Sequence, residues 1–335
     1  MPGSLAAVVR CAVAAVAASL FPLAAAAQDL PRINVGVLAF GTAQWEMKVI
    51  RDHQLDRRYG FDLVLRNLGS DDAGDIALQT GDVDVILTDF IWVSIQRNRG
   101  ADITLVPHSR AVGGLMVAPD GGIGTIGDLP GRTIGIAGGP TDKSWIILQA
   151  YWARDHDTRL ADEVEARFAP PPMVNELLKS GKLDAGLNFW HYNARSKAAR
   201  LKELVSVSDM LTALGLSDQA PLLGWAFREK TAAAKPEALR GFLDASFAAK
   251  AMLLDDDAVW DELRGLMKAE GDDALFRHLR DDYRAGIITG YDAATIDAAR
   301  QTFALMAEYG GAELVGDVPT LAEGTFWSGY AGPGN

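Results

Sequence analysis

The sequence predicts an α/β fold of two similar lobes, each built on a largely parallel sheet. Short runs rich in Val, Ile and Leu alternate with segments of helical period, which is typical of parallel sheets covered by helices. This alternation occurs once before residue 118 and again after it. A later apolar run at 222–227 predicts that the chain then crosses back to the first lobe.

The N-terminal segment has the features of a secretory signal peptide. Arg10 precedes an apolar stretch at 11–24 that is too short to span a bilayer stably, and Ala25 and Ala27 form a cleavage pattern of small residues. We expect cleavage after Ala27 and a periplasmic mature chain. Cys11, the only cysteine, would leave with this segment, so the mature protein would have no thiol for disulfides, metal binding or catalysis.

The first lobe is predicted to contain two β-α-β units. We expect strands at 33–39, 62–68 and 83–87 and a helix at 45–59. A second helix should follow the capping sequence Gly69-Ser70-Asp71 and run to Thr80.

The second lobe is predicted to repeat this order. Its strands are expected at 115–118, 133–137, 164–168 and 183–188, and its helices at 143–155 and 172–180. The strand at 222–227 returns the chain to the first lobe, and the part after Lys235 is mostly helical. We therefore place lobe 1 at 28–118 plus 225–335 and lobe 2 at 119–224, with a two-stranded hinge between them.

Six segments of the mature chain match a known family in order and spacing. They are INVGV at 33–37, YGFDL at 59–63, LQTGDVDV at 78–85, DLPGRTIGI at 128–136, LKSGKLDA at 178–185 and KPEALRGFL at 235–243. The chain resembles the periplasmic substrate-binding proteins for nitrate, taurine, aliphatic sulfonates and thiamine pyrimidines. This resemblance implies the type II periplasmic-binding-protein fold, a small-molecule ligand held between lobes that close, and the permease of an ABC importer as partner.

The ligand site is expected where the carboxyl ends of the strands meet, since open α/β sheets bind small molecules there. Five loops at these ends supply the candidate side chains and backbone groups. The predicted ligand-binding residues are Phe40, Thr42, Trp45, Ser70, Asp89, Phe90, Trp92, Gly139, Thr141, Asp142, Asn188, Trp190 and Tyr192.

Two interpretations of these loops remain open. The glycines at 138 and 139 before a helix N-terminus favour an anion, whereas Asp89 with the neighbouring rings favours an amine or a heteroaromatic ligand. Alternatively, Thr141 or Asp142 and Asp89 cap their own helices, and the rings pack in the core.

Other classes of function are less well supported by the sequence. A net charge of −12 argues against nucleic-acid binding, and we expect a monomer without a cofactor. A metal carrier is an alternative, because acids cluster at Asp71, Asp72 and Asp75 and at 255–257, but neither cluster has a calcium-loop pattern. An enzyme on the same fold, similar to those of pyrimidine synthesis, is the other alternative. No catalytic constellation is evident, and we predict that the protein is not an enzyme.

Overall fold

The computed structural model describes residues 30–290 and 292–332, so the predicted signal peptide at 1–27 lies outside the described residues. Within these ranges the chain forms ten strands in two sheets. The strands are β1 (Arg32–Leu38), β2 (Asp62–Leu68), β3 (Val85–Asp89), β4 (Ile103–Ser109), β5 (Gly114–Val117), β6 (Thr133–Ala137), β7 (Glu165–Ala169), β8 (Ala185–Asn188), β9 (Lys202–Ser206) and β10 (Leu223–Arg228).

Helices connect and cover these strands. They are α1 (Ala43–Asp52), α2 (Leu55–Arg58), α3 (Asp71–Thr80), α4 (Phe90–Asn98), α5 (Lys143–Ala153), α6 (Leu160–Glu163), α7 (Pro171–Lys179), α8 (Trp190–Ala198), α9 (Val207–Ala213), α10 (Glu229–Ala234), α11 (Pro236–Asp255), α12 (Asp257–Asp261), α13 (Arg264–Met267), α14 (Asp273–Ala285) and α15 (Ala293–Val315). None of the described helices is both long enough and apolar enough to cross a membrane.

The two sheets have the same design. The first has the order β2-β1-β3-β10-β4 and the second the order β7-β6-β8-β5-β9, each with one antiparallel strand in the fourth position. The remaining strands run parallel, so their carboxyl ends lie at one edge of each sheet. This arrangement confirms the predicted α/β fold of two lobes.

The chain passes from the first sheet to the second between Ser109 and Gly114, and it returns between Ser206 and Leu223. The predicted strand at 115–118 is therefore part of the second sheet, where β5 pairs with β8 and β9. The second crossing segment is long and contains α9. The lobe boundaries at 118 and 224 stay a prediction.

The helix predicted at 45–59 is interrupted in the structure. Gln54 has a left-handed backbone (φ 53°), which ends α1 at Asp52 and starts the short helix α2 at Leu55. By contrast, the predicted bounds of β2 and β6 match the structure, and Ser70 caps α3 by accepting from the Ala73 N–H at 3.2 Å.

One apolar core runs through both halves of the molecule. It joins side chains of the first sheet, such as Ile86, to side chains of the second, such as Ile136. Helix α15 contributes Phe303 and Met306 to this core and packs against both α4 and α5. Separate clusters cover the other face of each sheet, so both sheets are buried on both sides.

Candidate functional site

The carboxyl ends of the two sheets meet at an ion pair. Lys143, the first residue of α5, donates from Nζ to Oδ2 of Asp89 at the end of β3, over 2.8 Å. Asp89 also caps α4, because its Oδ1 accepts from the Trp92 N–H at 2.8 Å. The capping interpretation of Asp89 is thus confirmed, and its second oxygen at the same time bridges the two halves.

Several further carboxylates surround this ion pair. Burial and then the charge on Asp89 raise the pKa of Asp75 to about 7, and Asp71 is raised in the same direction, mainly by burial. Burial alone would lower the pKa of Lys143, but the attraction of Asp89 outweighs this effect and raises the pKa. The charged form of Lys143 is therefore favoured, whereas burial and mutual repulsion favour the neutral forms of Asp71 and Asp75.

The loop before α5 is shaped by its own helix cap. Gly138 has a positive φ of 94°, and Asp142 Oδ1 accepts from the N–H groups of Ser144 and Trp145 at 2.9 and 3.1 Å. The capping alternative for Asp142 is therefore confirmed. Burial raises the pKa of Asp142. Because its carboxyl group already accepts from two of the free N–H groups at the start of α5, an anion bound at this helix end would have to compete with it.

Four aromatic rings join the two halves beside the first sheet. Trp45 in α1 and Trp190 in α8 meet edge to face with their centroids 5.9 Å apart. Tyr283 of α14 lies 5.6 Å from Trp45 and 5.8 Å from Trp190, and Trp260 closes the cluster. Trp45 is buried in this packing, whereas Trp190 is only half-buried.

A buried polar network lies next to Trp45. Glu46 accepts a hydrogen bond from His108 Nε2 at 2.8 Å and another from the Ser246 hydroxyl, which also receives Lys250 Nζ at 3.3 Å. Burial alone would raise the pKa of Glu46, but Lys250 and His108 outweigh it and lower this pKa to about 2. The Tyr283 hydroxyl, 3.4 Å from Glu46, connects this network to the aromatic cluster.

A cavity of about 310 Å³ lies between the two halves, next to Trp190. Its walls come from the first crossing segment, from α8, β9 and α9 of the second half, and from the end of α14. We call it the interlobe cavity. The polar side chains that carry its chemistry are Arg110, Asn193, Lys197, Glu203, Asp218 and Asp282.

Of the five charged groups of the interlobe cavity, Asp218 accepts from the Ser208 hydroxyl at 3.3 Å and from Gln219 Nε2 at 2.6 Å, and the other four fall into two sets. Lys197 Nζ lies 3.1 Å from Glu203 Oε2 and 3.2 Å from Asp282 Oδ2, so one ammonium serves two carboxylates. Arg110 instead donates to the Gln219 side chain and, at 3.4 Å, to the Ala285 carbonyl, which are both neutral acceptors.

Other predicted site residues also lie at the strand ends, but they do not line the interlobe cavity. Phe90 is fully buried, with its ring 6.0 Å from Phe326 and 6.4 Å from Phe303, so it belongs to the core and not to a ligand surface. Its position directly after a strand suggested a ligand contact, but the structure supports the alternative that this ring packs in the core. Phe40 is the opposite case, because it is 84% exposed.

The remaining predicted residues have local roles. Asn188 is buried, donating to the Pro171 carbonyl at 2.9 Å and accepting from the Phe189 N–H at 2.8 Å. Five others, with no contact to the interlobe cavity, are half-buried or exposed at their loops or helix starts: Thr42, Ser70, Trp92, Gly139 and Thr141. Tyr192 packs beside His191, whose pKa burial lowers to about 4.

Sequence reasoning identified only one residue of the cavity wall, Trp190. It missed Arg110, Asn193, Lys197, Glu203 and Asp282, because none of them directly follows a predicted strand. In residues 30–290 and 292–332, no group of three or more His, Cys, Asp or Glu side chains is arranged to hold a metal ion.

Solved structures of known proteins share this fold. The alkanesulfonate-binding protein SsuA of Xanthomonas axonopodis pv. citri, in a structure bound to MOPS, is 16% identical with a TM-score of 0.68, covering 90% of this chain and 99% of its own. The periplasmic aliphatic sulphonate-binding protein SsuA of Escherichia coli is 17% identical with a TM-score of 0.69, over 89% and 97%.

An enzyme is also among the similar structures. The desulfurization enzyme DSZB is 14% identical with a TM-score of 0.57, covering 88% of this chain and 97% of its own. At these identities the similarity establishes the fold alone. No curated protein sequence matches the chain. A family model described as NMT1/THI5 like matches residues 59–257, which is more than half of the sequence. The chain therefore belongs to the NMT1/THI5-like family.

Proposed function

We propose that this protein is the periplasmic solute-binding component of an ABC-type importer and that it captures a small organic ligand between its two lobes. The ligand would enter while the lobes are apart, engage groups from both of them, and hold them together. The permease would recognise the closed form. In this proposal the protein acts as a monomer and catalyses no reaction.

The interlobe cavity is the observation that carries the proposal. Its walls come from both halves of the chain, and they include Trp190, which packs against Trp45 of the first half. A volume of about 310 Å³ is at the lower end of the range for small-molecule pockets, so the ligand would be small. The two SsuA structures, which have the same fold, are of proteins named for binding sulfonates.

The side chains that line the cavity favour a binding protein over an enzyme. Its titratable groups are an arginine, a lysine and three carboxylates, with no cysteine or histidine in the wall. Lys197 is held by two carboxylates that raise its pKa against the effect of burial, so it would remain a charged ligand contact and not a general base.

The first test is a thermal-shift screen of the mature protein, starting at Gln28. The compounds would be sulfonates, nitrate, short carboxylates, pyrimidines, polyamines and divalent and trivalent metals. A ligand at 100 times its Kd stabilises the folded state by about 2.7 kcal/mol, enough to raise the Tm clearly. We expect one organic class to raise the Tm and small-angle X-ray scattering to record a smaller radius of gyration with that ligand.

The matched variant is Trp190→Phe, which keeps a ring at the cavity wall, compared with Trp152→Phe away from it. Only the first should weaken binding of the ligand. Stabilisation by metals alone, or chemical conversion of the added compounds, would contradict the proposal and favour the metal carrier or the enzyme.

A further inference from the structure

Helix α14 lies between the two halves of the molecule and contacts both of them. We propose that the ion pair between Asp282 of α14 and Lys197 of α8 is a latch that favours the closed arrangement of the lobes before any ligand binds. We call this pair the interlobe latch. It goes beyond the proposed function, on which it rests only in requiring two lobes that can move apart.

One side of α14 is fixed to the first half. The Tyr283 hydroxyl lies 3.4 Å from Glu46 of α1. Arg284 donates from Nε to the Leu253 carbonyl of α11 at 2.8 Å. Helices α1 and α11 both pack on β1 of the first sheet. When the lobes separate, α14 should therefore move with the first half.

The other side of α14 packs along α8, which covers β5 and β9 of the second sheet. Across this contact Lys197 Nζ lies 3.2 Å from Asp282 Oδ2, and the two side chains are 24% and 25% exposed. The ion pair thus joins an element of the second half to an element that moves with the first. It would form in the closed arrangement and be lost as the lobes separate.

Lys197 has a second carboxylate within its own half. Glu203 of β9 lies 3.1 Å from the same Nζ, through Oε2. When the interlobe latch opens, Glu203 would still neutralise Lys197, so no unpaired ammonium is left behind in a partly buried position. Glu203 therefore makes the latch easy to release without being part of the contact between the halves.

Burial limits the strength of the interlobe latch. It raises the pKa of Asp282 although Lys197 lowers it, so desolvation offsets part of the attraction. The two other charged groups of the interlobe cavity interact elsewhere, because Asp218 accepts from the Gln219 side chain and Arg110 donates to it. The latch should therefore change the ratio of closed to open molecules by about two- to fivefold.

The experiment measures a distance between the lobes by double electron–electron resonance, and it needs no ligand. From Gln28 onward the chain contains no cysteine, so spin labels attach only where cysteines are introduced. Suitable positions are the exposed residues Ile76 in α3 and Met173 in α7. These helices follow β2 and β7, the outer strands farthest from the two crossings, where a small rotation gives the largest displacement.

Variants of this labelled protein test the interlobe latch. Asp282→Asn and Lys197→Gln should each increase the fraction of molecules at the longer distance, and Asp282→Glu should restore the distribution of the labelled parent. The double variant should show no further increase over the single ones, because the two residues act as a pair. The matched control is Glu203→Gln, which removes a carboxylate at almost the same distance from the same ammonium but within one half, and it should not increase this fraction.

The outcomes that contradict the inference are distinct from those that contradict the proposed function. If Asp282→Asn and Lys197→Gln leave the distance distribution of the labelled parent unchanged, the inference is wrong. It is also wrong if Glu203→Gln opens the molecule as much as Asp282→Asn, or if the effects of the two latch variants simply add. In each case the proposed function stands, since it depends on the ligand screen and not on the latch.

Discussion

In the proposed binding cycle the arrangement that holds the Asp89–Lys143 ion pair is the closed form, and Lys143→Gln should weaken it by about 1 kcal/mol. The Lys143 ammonium donates to Asp89 at 2.8 Å, but the two side chains are 38% and 21% exposed, so solvent screens their attraction. Exposed ion pairs contribute up to about 1 kcal/mol, and this partly buried one lies near that upper value. Since about 1.4 kcal/mol corresponds to a factor of ten, the ratio of closed to open molecules should fall roughly fivefold.

Ligand affinity reports this change, because a ligand that requires the closed form binds less tightly when that form is rarer. The Kd of Lys143→Gln should rise about fivefold, and the difference should shrink between 0.1 and 1 M salt as the screening length falls from about 10 to about 3 Å. Asp89→Asn, which keeps an oxygen for the α4 cap, and the double variant give the coupling free energy. Lys182→Gln is the control, since this exposed lysine forms no ion pair within the described ranges. A coupling of zero, or an equal loss in the control, would refute this reasoning.

Three further predictions concern stability. The folded-state pKa of Asp75 is raised to about 7, chiefly by burial, so the folded protein retains a proton there and stability should fall as pH rises from about 4 to about 7. In urea titrations at pH 5 and pH 8, Asp75→Asn should remove about 1 kcal/mol of this dependence after allowance for solvent screening, whereas the exposed Asp157→Asn should not. Glu46→Gln leaves the buried Lys250 without its counter-charge and should cost about 3–5 kcal/mol in denaturant unfolding, much of it recovered when Lys250→Met is added. Phe90→Ala should cost about 3–5 kcal/mol in the same assay while leaving the Kd of the ligand unchanged in calorimetry, because the ring is in the core.

Much of the fold could be predicted because its strands are apolar runs bounded by clear turn residues. The strand at 133–137 is of this kind. The strands β4 and β9 were not predicted, since β4 contains Pro107 and β9 is largely polar. Both are outer strands of their sheets, where proline and polar residues are tolerated. The break at Gln54 had no glycine or proline to indicate it.

The candidate site could be predicted only in part. Asp89 and Trp190, chosen because they follow strand ends, do contact side chains of the other half, and their contact with a ligand stays a prediction. The positions of the strand ends gave no information on Asp282, which is 85 residues from Lys197 in sequence and reaches it only through the packing of α14 on α8. A local pattern cannot specify such a contact, because it depends on how a late helix is placed on an earlier one.

The core that helix α15 shares with both sheets has a consequence for how the molecule folds. Residues 293–315 follow all ten described strands in the sequence, so until they are made Phe303 and Met306 are missing from a core that contains strands from both halves. Neither half can complete its packing alone, so both should reach their native state together. Contacts between residues so distant in sequence slow folding, so we expect this chain to remain unfolded longer than a protein of the same size whose contacts are local.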